Sequence, residues 1–286
     1  MMKMMHLLWI IPLLGLFSLT ACGENGTEIN QNPSIEKDAA ETIIANLAFD
    51  TGGTIDQLVD LSTLATPDGF DGLKGRYPGT YFNFQKTYDP VLGKWTIHIE
   101  RERGVSGQIP NAFVSRDYLL QYLNSEGMPQ QYYVTASDTA RTIIFQVLSG
   151  QGRHQTRRLS QQLNQLTANW TLTNANLDNV TVNGIYYRAA VDTIRTYMRE
   201  RSSDHNLQLN IFDLVMPRGS SPNLVNAISG LITGHFHALI TFSNGSSYTE
   251  NVIDRDINIV IGSGQASISL GSETYLGDIK TGELID

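Results

Sequence analysis

Apolar residues recur at two different periods along this chain. From Ala39 to Phe49, Ile43, Ile44 and Leu47 follow helical spacing until Gly52-Gly53 interrupts the run. Thr54 then stands where an N-cap belongs, ahead of Ile55, Leu58, Val59 and Leu61. The pattern predicts a helical hairpin or kinked helix within 39–75, its apolar stripe covering a sheet. From Tyr77 onward the period falls to two. Trp95, Ile97 and Ile99 alternate with Thr96, His98 and Glu100, while Leu207, Leu209 and Ile211 alternate with Gln208 and Asn210. Turn signals recur at Asp89-Pro90, Gly150-Gln151-Gly152, Asn183-Gly184, Asn244-Gly245, Gly262-Ser263-Gly264 and Gly271-Ser272. Val114 to Leu123 reads as a short helix, and Gln151 to Leu166 fits either helix or strand. The fold class expected is mainly β with a short N-terminal helical segment. Its strands, over 76–286, would form an antiparallel meander, as a curved sheet, half-barrel or sandwich.

The best-defined piece is the hairpin at Asn244-Gly245. A two-residue type I′ turn would oppose Ser243 and Ser246, pairing Ile232 with Ile257 and Phe236 with Ile253 on an apolar face. The other face would then pair His235 with Asp254, Thr233 with Asp256, and His237 with Val252.

Ahead of the helical segment lies a different pattern. Lys3 precedes an apolar run from Leu7 to Phe17, and Leu19-Thr20-Ala21-Cys22 follows. Such a run is too short to span a bilayer comfortably and has the layout of a secretory signal. The four residues resemble the lipobox of bacterial lipoproteins. That resemblance implies a signal peptide over 1–21, cleavage before Cys22, and acylation of this cysteine. A three-chain anchor would hold the protein durably to a membrane, since each buried methylene contributes about 0.8 kcal/mol. Gly23, where inner-membrane lipoproteins of enteric-type bacteria carry aspartate, implies the outer membrane, and the lack of an acidic run directly after Cys22, of the kind linked to surface export in some Bacteroidetes lipoproteins, favours a side facing the periplasm. Residues 22–38 are polar and read as a tether.

Composition narrows the possible partners. Without Lys3 the 20 basic residues become 19 against 28 acidic ones, a net charge of −9, which argues against nucleic acid. Cys22 is the only cysteine of 286 residues, so the mature domain has none to spare for a disulfide and must rest on its core. Charged residues make up only 17%, as turn-rich sheets with polar outer faces would produce.

Candidate chemistry is sparse. His235, His237, Asp254 and Asp256 share the polar face of the hairpin, and two imidazoles with carboxylates form a ligand set for zinc or iron. A solvated cross-strand pairing is the preferred reading, and no cofactor is expected. Arg153, His154, Arg157 and Arg158 form the densest basic cluster, followed by Arg195, Arg199 and Arg201; these read as a solvated face. The sequence has no G-x-S-x-G elbow, H-E-x-x-H helix, phosphate loop or dinucleotide fingerprint. The leading expectation is therefore a lipid-anchored, non-enzymatic binding, carrier or scaffold module taking an apolar ligand or an envelope protein. A metal-assisted hydrolase on the 235–256 hairpin and a purely structural or adhesive domain are the alternatives.

Overall fold

A computed structural model describes residues 33–75, 81–105, 107–195, 200–219, 224–243 and 248–285. The export signal, Cys22, most of the tether and the Asn244-Gly245 turn lie outside these residues. Three helices come first: α1 (Pro33–Leu47), α2 (Thr54–Leu64) and α3 (Gly69–Gly75). Helix α1 thus starts at Pro33, ahead of the Ala39 expected, because Asp38 is buried by an ion pair with Arg201 instead of belonging to a tether. Thr54 is the first helical residue of α2, and Gly53 takes the cap position.

Everything that follows is strand: β1 (Tyr81–Asp89), β2 (Lys94–Arg103), β3 (Asn111–Leu123), β4 (Pro129–Gln130), β5 (Thr142–Gln155), β6 (Leu159–Thr173) and β7 (Asn179–Arg195). The run continues through β8 (Glu200–Pro217), β9 (Ser229–Ser243), β10 (Tyr248–Gly262), β11 (Gln265–Leu270), β12 (Glu273–Asp278) and β13 (Leu284–Ile285). Apart from β4, which pairs with the end of β3, each strand pairs antiparallel with the next in sequence, giving one 13-stranded meander that is not closed. The segment 114–123, read as helical, is the core of β3. Its alternate residues Arg116, Tyr118, Leu120 and Tyr122 are buried while those between them are half-exposed, which is strand periodicity.

β-Bulges interrupt several of the long strands. Leu148 on β5 has no partner on β3, Asn164 is extra on β6, and the β7–β8 register shifts between Val182 and Gly184. Each bulge bends its strand and raises the local twist, which is how a long sheet curves. Gly150-Gln151-Gly152 and Asn183-Gly184, expected as turns, lie inside β5 and β7 beside these bulges. Gly184 is required there: its φ is +142°, and a Cβ would sit 2.1 Å from the Asn169 carbonyl oxygen. It also lies against Trp170, which stacks between Phe145 and Tyr186 on the inner face with centroid distances of 6.0 and 6.2 Å.

The hairpin of β9 and β10 keeps the expected faces but not the expected pairs. Tyr248 opposes Ser243, so every partner lies two residues further along: Ile232 meets Ile259, Phe236 meets Arg255, His235 meets Asp256, and His237 meets Asp254. A shift of two leaves each side chain on its own face, so the apolar pattern alone was unable to detect it.

The helices pack on the inner face. All eleven residues of α2 are buried, its polar ones included. Asp56 and Asp60 meet two arginines from the sheet: Arg116 Nη1 lies 2.9 Å from Asp56, Arg101 pairs closely with Asp60, and the Tyr118 hydroxyl is 3.4 Å from Asp60. At the other end of α2, Tyr122 donates to the Leu64 carbonyl and Ser62 donates to the Pro217 carbonyl, tying the helix to β3 and to the end of β8. Helix α1 is held by Arg201 of β8, which grips Asp38 and Glu41, and by Arg158, which joins Glu41 to Glu283 near the C-terminus. The basic clusters of the sequence are therefore dispersed. Arg201 is buried in an ion pair, Arg195 reaches Glu200, and His154 points inward.

Candidate functional site

The inner face changes character along the strands. Its middle is apolar, with Phe145, Trp170, Ile211, Ile232, Ile259 and Ile268 buried on neighbouring strands. Toward α1 a transverse row of Ala112, His154, Gln161, Asp192 and Ser203 crosses five strands, and four of its members are polar. Strand alternation puts Arg188, four residues before Asp192, on the same face, with Leu166 and Leu207 as its cross-strand neighbours.

Part of this polar region is internally satisfied. Asp192 Oδ2 accepts hydrogen bonds from Asn46 Nδ2 at 2.7 Å and from Gln161 Nε2 at 3.2 Å, linking α1, β6 and β7. Arg188 is not satisfied in this way. It is 1% exposed, and its Nε and Nη1 have no hydrogen-bond partner among the described residues. Buried polar groups are normally paired, and a buried charge costs several kcal/mol unless it is compensated.

A recess of about 100 Å³ lies beside this arginine, between the sheet and the turn joining α1 to α2. Phe49, Ala112, Val114 and Leu163 give it apolar walls. Five arginines line it (Arg101, Arg103, Arg116, Arg153 and Arg188) against three carboxylates, Asp50, Asp56 and Glu102. Asp56 is engaged by Arg116 and Arg101, and Glu102 lies 4.0 Å from Arg153. Asp50 has its carboxyl raised above the ordinary value, by burial first, with Lys280 and Arg103 opposing. A wider cleft of about 440 Å³ adjoins the recess, since both are lined by Asp50, Thr51, Arg103, Ala112 and His154. His154 has its pKa lowered, chiefly by burial and then by Arg103 and Arg188, so it is neutral at pH 7, and its Nδ1 has no hydrogen-bond partner among the described residues. His205 is lowered too, again mainly by burial. The arrangement is a partly apolar recess whose lining carries five arginines against three carboxylates.

The residues proposed from sequence as metal ligands lie elsewhere, on the outer face. His235 Nδ1 is 3.0 Å from Asp256, His235 Nε2 is 3.0 Å from Asp254, and His237 Nδ1 is 3.1 Å from the other oxygen of Asp254. The four side chains thus form an exposed zigzag of polar contacts, two of them hydrogen bonds, instead of converging on one point. Among the described residues, no group of three or more His, Cys, Asp and Glu side chains is placed to hold a metal ion. A second outer-face cluster joins His98, Asp117 and Ser149, with Asp117 accepting from Ser149 at 2.6 Å and contacting His98 at 2.8 Å. Because the carboxylate stands between the other two, this is not the serine–histidine contact that nucleophile activation needs.

Sequence reasoning did not find the inner cleft. Its polar residues occupy inward strand positions that hydropathy assigns to solvent, and the only local signal was the glycine pair Gly150 and Gly152, mistaken for a turn. No family model, curated protein or solved structure matches the chain.

Proposed function

We propose that this chain is a lipid-anchored, non-enzymatic binding module of the cell envelope that takes a small ligand into the cleft between the α1–α2 turn and the inner face of the sheet. The observation carrying this reading is the adjoining pair of spaces, a cleft of about 440 Å³ leading to a recess of about 100 Å³, beneath helices that cover a curved sheet. Ligand sites are commonly concave, largely preformed and mostly apolar, with a few placed polar groups. The architecture is analogous to the half-barrels that carry lipids or lipoproteins across the periplasm, where helices cover a curved sheet; fold analogy alone assigns no ligand. The anchor rests on the lipobox at Leu19-Thr20-Ala21-Cys22, the outer-membrane placement on Gly23, and the periplasm-facing side on the lack of an acidic run directly after Cys22.

Two measurements test the two halves of the proposal. Cys22→Ser removes the only sulfur to which a diacylglyceryl group can be joined. The variant is expected to leave the detergent phase in phase partition, and normal maturation with continued membrane partition would refute the anchor. Native mass spectrometry of the delipidated protein is expected to show a co-purifying small molecule, lost when Leu163→Trp fills the recess. A species retained by that variant would place the ligand elsewhere.

A further inference from the structure

We infer that the recess is an anion site, and that its ligand is a small monocarboxylate with a compact apolar body whose carboxylate sits on Arg188. The inference rests on the reading of the cleft as a ligand site and adds the ligand's chemistry.

Three observations meet at this place. Arg188 is 1% exposed, lines the recess, and leaves Nε and Nη1 without a hydrogen-bond partner among the described residues. A guanidinium presents a planar fork of donors that matches a carboxylate and is always charged, so its unused donors call for an anion. Asp192, buried on the same strand, gives its Oδ2 to Asn46 and Gln161, and its Oδ1 has no hydrogen-bond partner among the described residues, so Nε and Nη1 of Arg188 do not reach it. The other arginines of the recess have their own carboxylates nearby, Asp56 for Arg101 and Arg116, Glu102 for Arg153, and Asp50 for Arg103.

The remaining lining fixes the rest of the ligand. Phe49, Val114 and Leu163 offer no hydrogen bonds from their side chains, so the body beyond the carboxylate is apolar. The volume, about 100 Å³, limits that body to a few carbons. A dianion fits less well, because Arg188 offers one charge while Asp50 and Asp56 also line the recess.

Arg188→Met keeps the length of the side chain and removes its charge. The probes are hexanoate, hexanol, hexylammonium and acetate, titrated calorimetrically into the delipidated protein. Hexanoate is expected to bind most tightly, and Arg188→Met to weaken it at least tenfold, the loss of one charge-assisted contact. Arg188→Lys should restore part of that affinity. Without ligand, Arg188→Met should melt at or above the wild-type temperature, since it removes a buried cation with two unpartnered donors. A structural role for Arg188 predicts a large fall instead, and that result overturns the inference. Hexanol or hexylammonium binding as tightly as hexanoate, unaffected by Arg188→Met, would leave the cleft a ligand site but refute the anion assignment. Acetate binding as tightly as hexanoate would refute the apolar body. If Arg188→Met does not fold, Arg188→Lys compared with Arg188→Gln gives the same discrimination. Failure of all four probes to bind would overturn the inference and the cleft reading together.

Discussion

Arg116→Met separates a structural charge cluster from a binding one. Arg116 is fully buried, with Nη1 2.9 Å from Asp56 and 3.6 Å from Asp60, and Nη2 donating to the Gly52 carbonyl at 2.9 Å. It thus ties β3 both to α2 and to the turn that roofs the recess. Methionine preserves the bulk but leaves Asp56, itself 4% exposed, to Arg101 at 3.5 Å, and strands the Gly52 carbonyl. Breaking a buried pair from one side costs about 3–5 kcal/mol. Against a total stability of roughly 5–15 kcal/mol that is a large share. For a chain of this size each kcal/mol lowers the melting temperature by about 2–4 °C, so a loss of ~4 kcal/mol should lower it by about 8–16 °C. Thermal melts followed by far-ultraviolet circular dichroism read this directly. The double variant Arg116→Met with Asp56→Leu should recover at least half of the loss, because it removes the uncompensated carboxylate along with its partner. A single variant melting within about 2 °C of the wild type would show that the cluster contributes little to holding α2 against the sheet, and the reasoning would fail.

Three further outcomes follow from the same structure. Phe236 is fully buried beside the His205 ring and His237 is exposed, so Phe236→Asp should cost several kcal/mol and His237→Asp less than about 1 kcal/mol; equal melting temperatures would contradict the faces assigned to β9. His154 and His205 have folded pKa values below the ordinary 6.5, so their contribution to stability is full above pH 6.5 and lost as the pH falls, because the unfolded chain takes up protons that the folded one excludes. Denaturant titrations should show stability declining as the pH falls below 6.5, with a shallower decline in His205→Gln. Elemental analysis of untagged protein should give no stoichiometric zinc or iron; one equivalent that disappears in the double variant His235→Gln, His237→Gln would establish a metal site on that face.

The sequence by itself determined the elements that depend on local periodicity. Alternation over Trp95 to Ile99 and Leu207 to Ile211 marked strands, helical spacing at Ile43, Ile44 and Leu47 marked α1, and the two faces of the β9–β10 hairpin were legible because burial repeats every second residue. Only the tertiary structure decided what breaks that repeat. At Leu148, at Asn164 and around Asp213 a bulge shifts the inward positions from one parity to the other, so Val147 and Gly150, Leu163 and Leu166, and Ile211 and Leu214 all face the core. A period-two reading loses its phase at such points and mistakes Gly150 and Gly152 for a turn. The buried charges were invisible for a related reason. Hydropathy alone assigns Arg116, Arg188, Asp192 and His205 to solvent because it scores each residue by itself, whereas their burial depends on helices more than fifty residues away that cover the inner face. Asp56 and Asn46 supply partners for Arg116 and Asp192, and Arg188 is left with the recess.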